Sequence, residues 1–164
     1  MSNDVSEFID DESFHERTLA KAMHWKYIEE QHKGSCYDFI TQDSSKIEAK
    51  FDWDSIKTGN HYLEFAQTSD NGKTWAPSGF ALSAEEADYW VVVNEEYIRM
   101  FRIEVLKKWV KENRSQFKTT RTRSGVNHNR VGQFSKAYLI PFHMLDEICF
   151  SKQERMISRN SSFK

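Results

Sequence analysis

Apolar positions along this chain change their spacing several times, and each change marks an expected element. Over residues 13–31, Leu19 or Ala20, Met23 and Tyr27 recur at helical spacing and form one apolar stripe. Ser13 and Glu16 supply the S-x-x-E pattern of a capping box at the start of that helix, and Gly34 is the expected stop. The period then shortens to two. Strands are predicted over residues 36–41 and 47–52, joined by the turn-forming Asp43-Ser44-Ser45, with a third over residues 61–66 after the "KTGN" turn. "TSDNGKTWAPSG" reads as an exposed loop. Ser83 and Glu86 repeat the capping pattern for a short helix. "YWVVV" and "YIRMFRI" read as a hairpin around "NEE", and Ile103, Leu106 and Val110 support a helix to about residue 113. Residues 114–133 carry no strong period and are expected to form a polar, basic loop, ahead of the strand "AYLIPF" and a short helix near Leu145. No internal repeat interrupts this order. It predicts a single α/β domain over residues 13–150, a central mixed β-sheet flanked by helices. Residues 1–12 form an acidic segment, and residues 151–164 are expected to be a C-terminal tail with a frayed end.

Composition agrees with a packed domain. At 164 residues, 38% hydrophobic and 14% aromatic, the chain can bury a core and is not of disordered composition. A formal charge of -2 does not suggest an acidic partner, but the charges are segregated. Between Lys107 and Lys136 stand nine basic residues and one acid, Glu112, whereas the first twelve residues hold Asp4, Glu7, Asp10, Asp11 and Glu12 with no base. Such asymmetry fits a basic face that meets a polyanion; a basic helix and loop that are merely solvated is the alternative. Cys36 and Cys149 lie far apart and form no CxxC pair, which points to a reduced compartment and away from a disulfide framework or zinc knuckle. Without a signal-like segment or a bilayer-length apolar run, the expectation is a soluble, cytoplasmic protein with no membrane partner.

The chemistry concentrates in "CYDFI" and "KIEAKFD". Residues two apart on a strand share a face, so Glu48 and Lys50 project together while Ile47, Ala49 and Phe51 face the other way. For Asp38 to join them, residue 38 must lie opposite 50 and residue 40 opposite 48. That requires a three-residue connection or a bulge at residues 43–45, because a two-residue loop would throw Asp38 onto the other face. Among Tyr37, Phe39 and Ile40, an unpartnered Asp38 carboxylate would be costly. Two carboxylates with waters suit Mg²⁺, with Mn²⁺ as the substitute. Such an ion acidifies a bound water and polarises a phosphorus centre, and Lys50 would stabilise developing charge or orient the water. Taken alone, Glu48 and Lys50 read first as an exposed ion pair on an ordinary strand, worth a few tenths of a kcal/mol, and it is Asp38 upstream that raises the catalytic reading.

Asp38 followed by Glu48-Ala49-Lys50 after a short turn, behind a helix, resembles the PD-(D/E)XK nuclease superfamily. "SFHERTLAKAM" is similar to the first helix of archaeal Holliday-junction resolvases, where F-E-R-x-L-A carries an additional acidic site residue; Glu16 matches it. "TGNHYLEF", "EEADYWVVV" and "AYLIPF" resemble small, phage-type members. The likeness covers roughly residues 13–145. It implies a restriction-endonuclease-like core that hydrolyses DNA phosphodiesters with Mg²⁺, resolvase-like structure specificity being one form. It also implies Asp38 and Glu48 on the metal, Lys50 assisting, a homodimer, and the host cytoplasm if the chain is phage-encoded. Tyr37 stands where the superfamily motif has proline, and the glycine-rich stretch before the Asp is reduced to "HKGSC".

Supporting residues follow from placement. Glu16 is either the return arm of the capping box or an acid facing the sheet with Leu19, Ala20 and Met23. Glu64, sharing a face with Tyr62 and Ala66 on the strand expected beside Glu48 and Lys50, belongs near the site. Asp52 could hold Lys50 or a second metal, and His61 could contact a phosphate. Lys107, Lys108 and Lys111 on the helix, with Lys118, Arg121, Arg123 and Arg130 on the loop, are the expected phosphate contacts. Lys73 and Trp75 at a hairpin tip offer a cation and a stacking ring, or only a mobile end. "SGVNHNRVGQ" lacks the second histidine of an HNH site, no Walker or GxGxxG motif is present, and neither cysteine has a local histidine partner. The competing class is a non-catalytic nucleic-acid-binding or interaction module that retains the nuclease fold; the intact Asp–Glu–Lys trio tells against it.

Overall fold

In the computed structural model, which describes residues 6–28, 36–123 and 132–155, helix α1 (Ser6–Met23) begins well ahead of Ser13. Ser13 is therefore interior, and the S-x-x-E pattern does not lie at the helix start. Gly34, the expected stop, lies outside the described residues. The helix ends instead at His24, whose φ of 56° is left-handed, and Trp25 N–H reaches back to Ala20 O at 2.9 Å in a Schellman-type closure. The chain then enters β1 (Lys26–Tyr27), where helical spacing predicts a further turn.

The fold is mixed α/β. One sheet contains β1, β2 (Phe39–Ile40), β3 (Lys46–Phe51), β6 (Tyr89–Val93), β7 (Tyr97–Arg102) and β10 (Ser151–Glu154), in the order β1-β2-β3-β6-β7-β10. Its neighbours are antiparallel except β3 and β6, which run parallel with Glu48 beside Trp90 and Lys50 beside Val92. The predicted hairpin of "YWVVV" and "YIRMFRI" is the β6–β7 pair.

The crossover from β3 to β6 carries α2 (Ser55–Thr58), β4 (Asn60–Thr68), β5 (Ala76–Pro77) and α3 (Phe80–Glu86). Here the structure departs from the single sheet that the pattern predicts. β4 does not pair with β3. With β5, β8 (Lys118–Arg123) and β9 (Phe134–Pro141) it forms a second, antiparallel sheet in the order β5-β4-β9-β8. β8 falls in the stretch expected to be loop. Its sequence, KTTRTR, holds only threonines and cations and lies on an edge strand, so no apolar period betrays it. α3 starts after Gly79 rather than at Ser83, which sits inside the helix and donates to Gly79 O at 3.2 Å. Helix α4 (Ile103–Asn113) is as predicted, and α5 (Phe142–Leu145) follows β9 directly.

Two apolar clusters hold these layers together, each fully buried side chain contributing about 1.5–3 kcal/mol. On one face of the first sheet, Leu19 and Ala20 of α1 pack on Phe39, Ile47, Ala49, Val91 and Val93. On the other, Trp90, Val92 and Phe101 meet Leu63 and Ile140 of the second sheet and Ile103, Leu106 and Val110 of α4. The odd-numbered residues of β3 thus serve α1. Glu48 and Lys50 emerge on the side of the second sheet. Among the described residues, no helix is long and apolar enough to cross a membrane.

Candidate active site

The β2–β3 connection determines what meets Glu48. Thr41 N–H donates to Ser45 O at 2.9 Å, leaving Gln42-Asp43-Ser44 as a three-residue link with Ser44 left-handed at φ 68°. Its odd length is the one required. Its centre is Asp43 rather than Ser44, because the Asp43 carboxylate accepts from Thr41 Oγ1 and from Ser45 N–H at 3.4 Å. The ladder accordingly pairs Phe39 with Ile47 and Ile40 with Lys46, two residues out from the predicted register. Asp38 comes alongside Glu48 instead of facing Lys50. Side-chain parity survives the shift.

Asp38 lies just past the ladder, 7% exposed, with its N–H on Ile47 O at 2.7 Å and its Oδ2 accepting Ala49 N–H at 2.9 Å. Glu48 is equally buried and forms an ion pair with Lys50 Nζ, while the Lys50 side chain stays 43% exposed. Burial first, and then the negative charge of Glu48, push the Asp38 carboxyl up to about 7; Ala49 N–H and Lys50 only partly offset them. Glu16 adds to this field from α1. It is buried and bonded to the Tyr27 hydroxyl, which burial and that carboxylate together raise to about 12. Three acids, from α1, the residue preceding β2 and β3, thus sense one another. Among the described residues, however, no three Asp, Glu, His or Cys side chains converge to hold an ion unaided.

Asp52 is turned to β4 rather than to Lys50: its Oδ2 accepts His61 Nδ1–H at 2.8 Å and Tyr62 N–H at 3.0 Å. His61, 1% exposed, takes Trp90 Nε1–H on its Nε2 at 3.2 Å. Both ring nitrogens are engaged inside the protein, as donor and acceptor of a neutral imidazole, so His61 is no phosphate contact. The Trp90 ring in turn lies under the Lys50 ammonium, 5.8 Å from its centroid.

Glu64 is on β4, in the second sheet, and reaches the same cleft as Lys50 from the opposite wall. Ser78 Oγ donates to its carboxylate. A register shift between Glu64 and Ala66 turns Ala66 to the other face, so the predicted Tyr62–Glu64–Ala66 row stops at Glu64. Gly79 packs directly against Glu64. At φ 53° it approaches so closely that a Cβ there would stand 2.8 Å from Glu64 Cβ. The cleft between the walls measures about 540 Å³.

The basic residues fall on two elements. Lys107, Lys108 and Lys111 are exposed on α4, with Lys107 paired to Glu85 at 2.8 Å. Lys118 and Arg121 are exposed on β8, a strand rather than a loop; Arg123 is on the same strand, and Arg130, like the "NHN" fragment, is outside the described residues. Trp75 is not an isolated tip: Lys136 Nζ lies 4.0 Å and the Arg121 guanidinium 5.6 Å from its ring, and that guanidinium covers Phe134 at 4.1 Å. Sequence reasoning missed Tyr27, which falls on the helical period, and Trp90, whose place beside Glu48 comes from a parallel pairing between distant segments. No protein-family model matches the chain, and no curated protein matches it significantly.

Proposed function

We propose that this protein is a metal-dependent endonuclease of the PD-(D/E)XK type that hydrolyses DNA phosphodiester bonds. The observation that carries the proposal is the burial of Asp38 beside Glu48, where loss of hydration first and the repulsion of Glu48 second push the Asp38 carboxyl up to about 7. A hard divalent cation relieves that repulsion, and two carboxylates leave its remaining positions to water and phosphate oxygens, as Mg²⁺ prefers. Asp38 and Glu48 would hold it. When bound, the ion supplies Lewis-acid polarisation of the phosphate and a more acidic coordinated water.

The remaining work falls to side chains. Lys50, anchored on Glu48 and still exposed, reaches a non-bridging phosphate oxygen and stabilises charge there as a water oxygen bonds to phosphorus and gives its proton to solvent, while the bond to the leaving sugar oxygen breaks and that oxygen takes a proton from solvent. Ala49 N–H fixes the Asp38 carboxylate, and Trp90, oriented through His61 and Asp52, backs Lys50. Glu16 and Glu64 support from either side. The β8 cations, with Lys108 and Lys111 of α4, hold the DNA backbone, and a homodimer in the cytoplasm completes the proposal.

Plasmid and branched DNA incubated with Mg²⁺ or Mn²⁺, beside the Lys50→Ala variant and an EDTA control, test it. Metal-dependent cutting by the wild type with at least a hundredfold loss in Lys50→Ala is expected, in the range for removing an electrostatic stabiliser. DNA binding by both proteins with cleavage by neither would identify the non-catalytic module instead.

A further inference from the structure

We infer that the cleft beside Lys50 receives a single unpaired nucleobase, so that the substrate is DNA with a nucleotide outside the helix next to the scissile phosphate. This rests on the nuclease proposal for the position of that phosphate. One wall of the cleft is β3, through Lys50 and Phe51; the other is one face of the second sheet, through Tyr62, Glu64, Thr122 and Leu139. A volume of about 540 Å³ is in the range of small-ligand sites. Tyr62 and Glu64 alternate along β4 with the core residue Leu63, so this wall is the face of the second sheet turned away from the shared core, and a space of that volume takes a small ring system rather than a duplex.

Charge determines which part of a nucleotide goes in. Asp52, Asp54 and Glu64 line the cleft, and with His61 held neutral Lys50 is the only cation among the described lining residues. A phosphate inside would be repelled, whereas a neutral base brings amino donors for carboxylates, the pairing by which acids accept from cytosine N4. Tyr62 offers a ring for stacking, its hydroxyl 2.7 Å from Thr122 Oγ1. The sugar–phosphate chain then remains outside with Lys50 and the cations of β8. Extruding a base costs least where it is already unpaired, which favours bulged or branched DNA over a perfect duplex.

The test measures binding in EDTA, so that nothing is cut. Fluorescence anisotropy compares a duplex carrying one unpaired cytosine with its fully paired counterpart. Wild type is expected to prefer the bulged duplex about tenfold, the scale of stacking one base. Thr58→Tyr, which fills the cleft from an exposed position on α2, away from the β8 cations, is expected to abolish the preference and leave paired-duplex affinity within about twofold. Thr122→Trp, from β8, is expected to abolish the same preference should the first variant fold poorly. Equal binding of both duplexes by wild type, or a preference that persists in the filled variants, overturns the inference. The two proposals fail separately. A bulge preference without cleavage in Mg²⁺ removes the nuclease and keeps the base site; cleavage of paired and bulged DNA alike does the reverse.

Discussion

Asp38 is held where burial and a like charge both work against its ionised form, and that conflict has a pH signature. An unfolded Asp titrates near pH 4, the folded one near 7. Between those values the unfolded chain has shed a proton that the folded chain keeps, so rising pH removes stability across this window and none beyond it. Three pH units correspond to at most about 4 kcal/mol. Asp38→Asn lacks the titration, while its amide oxygen still accepts from Ala49 N–H. Urea midpoints of the metal-free proteins should therefore diverge, the variant matching or trailing wild type at pH 4 and exceeding it at pH 8. Parallel midpoints across that range would remove the conflict. The Asp–Glu–Lys spacing was readable as a string, because a period of two reveals which side chains share a face. What surrounds it was not. Tyr27 hides within a helical period, and Trp90 reaches Lys50 only through a parallel pairing that no local spacing encodes.

At the scale of elements, turn and cap chemistry located some boundaries and misplaced others. α4 was legible because Ile103, Leu106 and Val110 mark a single buried stripe. α1 was misjudged at both ends: Ser13–Glu16 has the form of a cap in mid-helix, and His24, a residue that rarely takes positive φ, performs the stop expected of Gly34. β8 escaped because threonines and cations, with no apolar residue among them, give it no apolar face. Gly79 is where element packing is most exacting. It combines φ 53° with ψ -123°, a region other residues avoid, and touches the Glu64 backbone. Gly79→Ala should cost roughly 2–3 kcal/mol in urea unfolding, from backbone strain together with the clash on β4. An unchanged midpoint would mean that α3 and β4 separate more readily than their contact implies.

For the whole molecule, a net charge of -2 leaves little general attraction for DNA, so binding should depend on the few cations that face it. Arg121, exposed on β8, is such a candidate; Lys107 has its charge already paired with Glu85. Replacing Arg121 with Gln should lower the slope of log affinity against log salt by about 0.9, one phosphate contact, whereas Lys107→Gln should leave it nearly unchanged. Titrations between 50 and 200 mM salt, roughly the range over which such slopes are read, check both. The class of fold was visible in the order of elements, but its division into two sheets was not. β3 and β4 are consecutive strands with a short link, the commonest reason to pair, and the parallel seat beside β3 goes instead to β6.

The three-residue link centred on Asp43 counts in twos. Lengthening it by a pair of residues slides β2 along β3 and keeps Asp38 on the side of Glu48; a single insertion or deletion rotates it toward α1. Natural length variation at this hairpin, wherever activity survives, should then come in even steps, as though the segment were read by a two-letter frame.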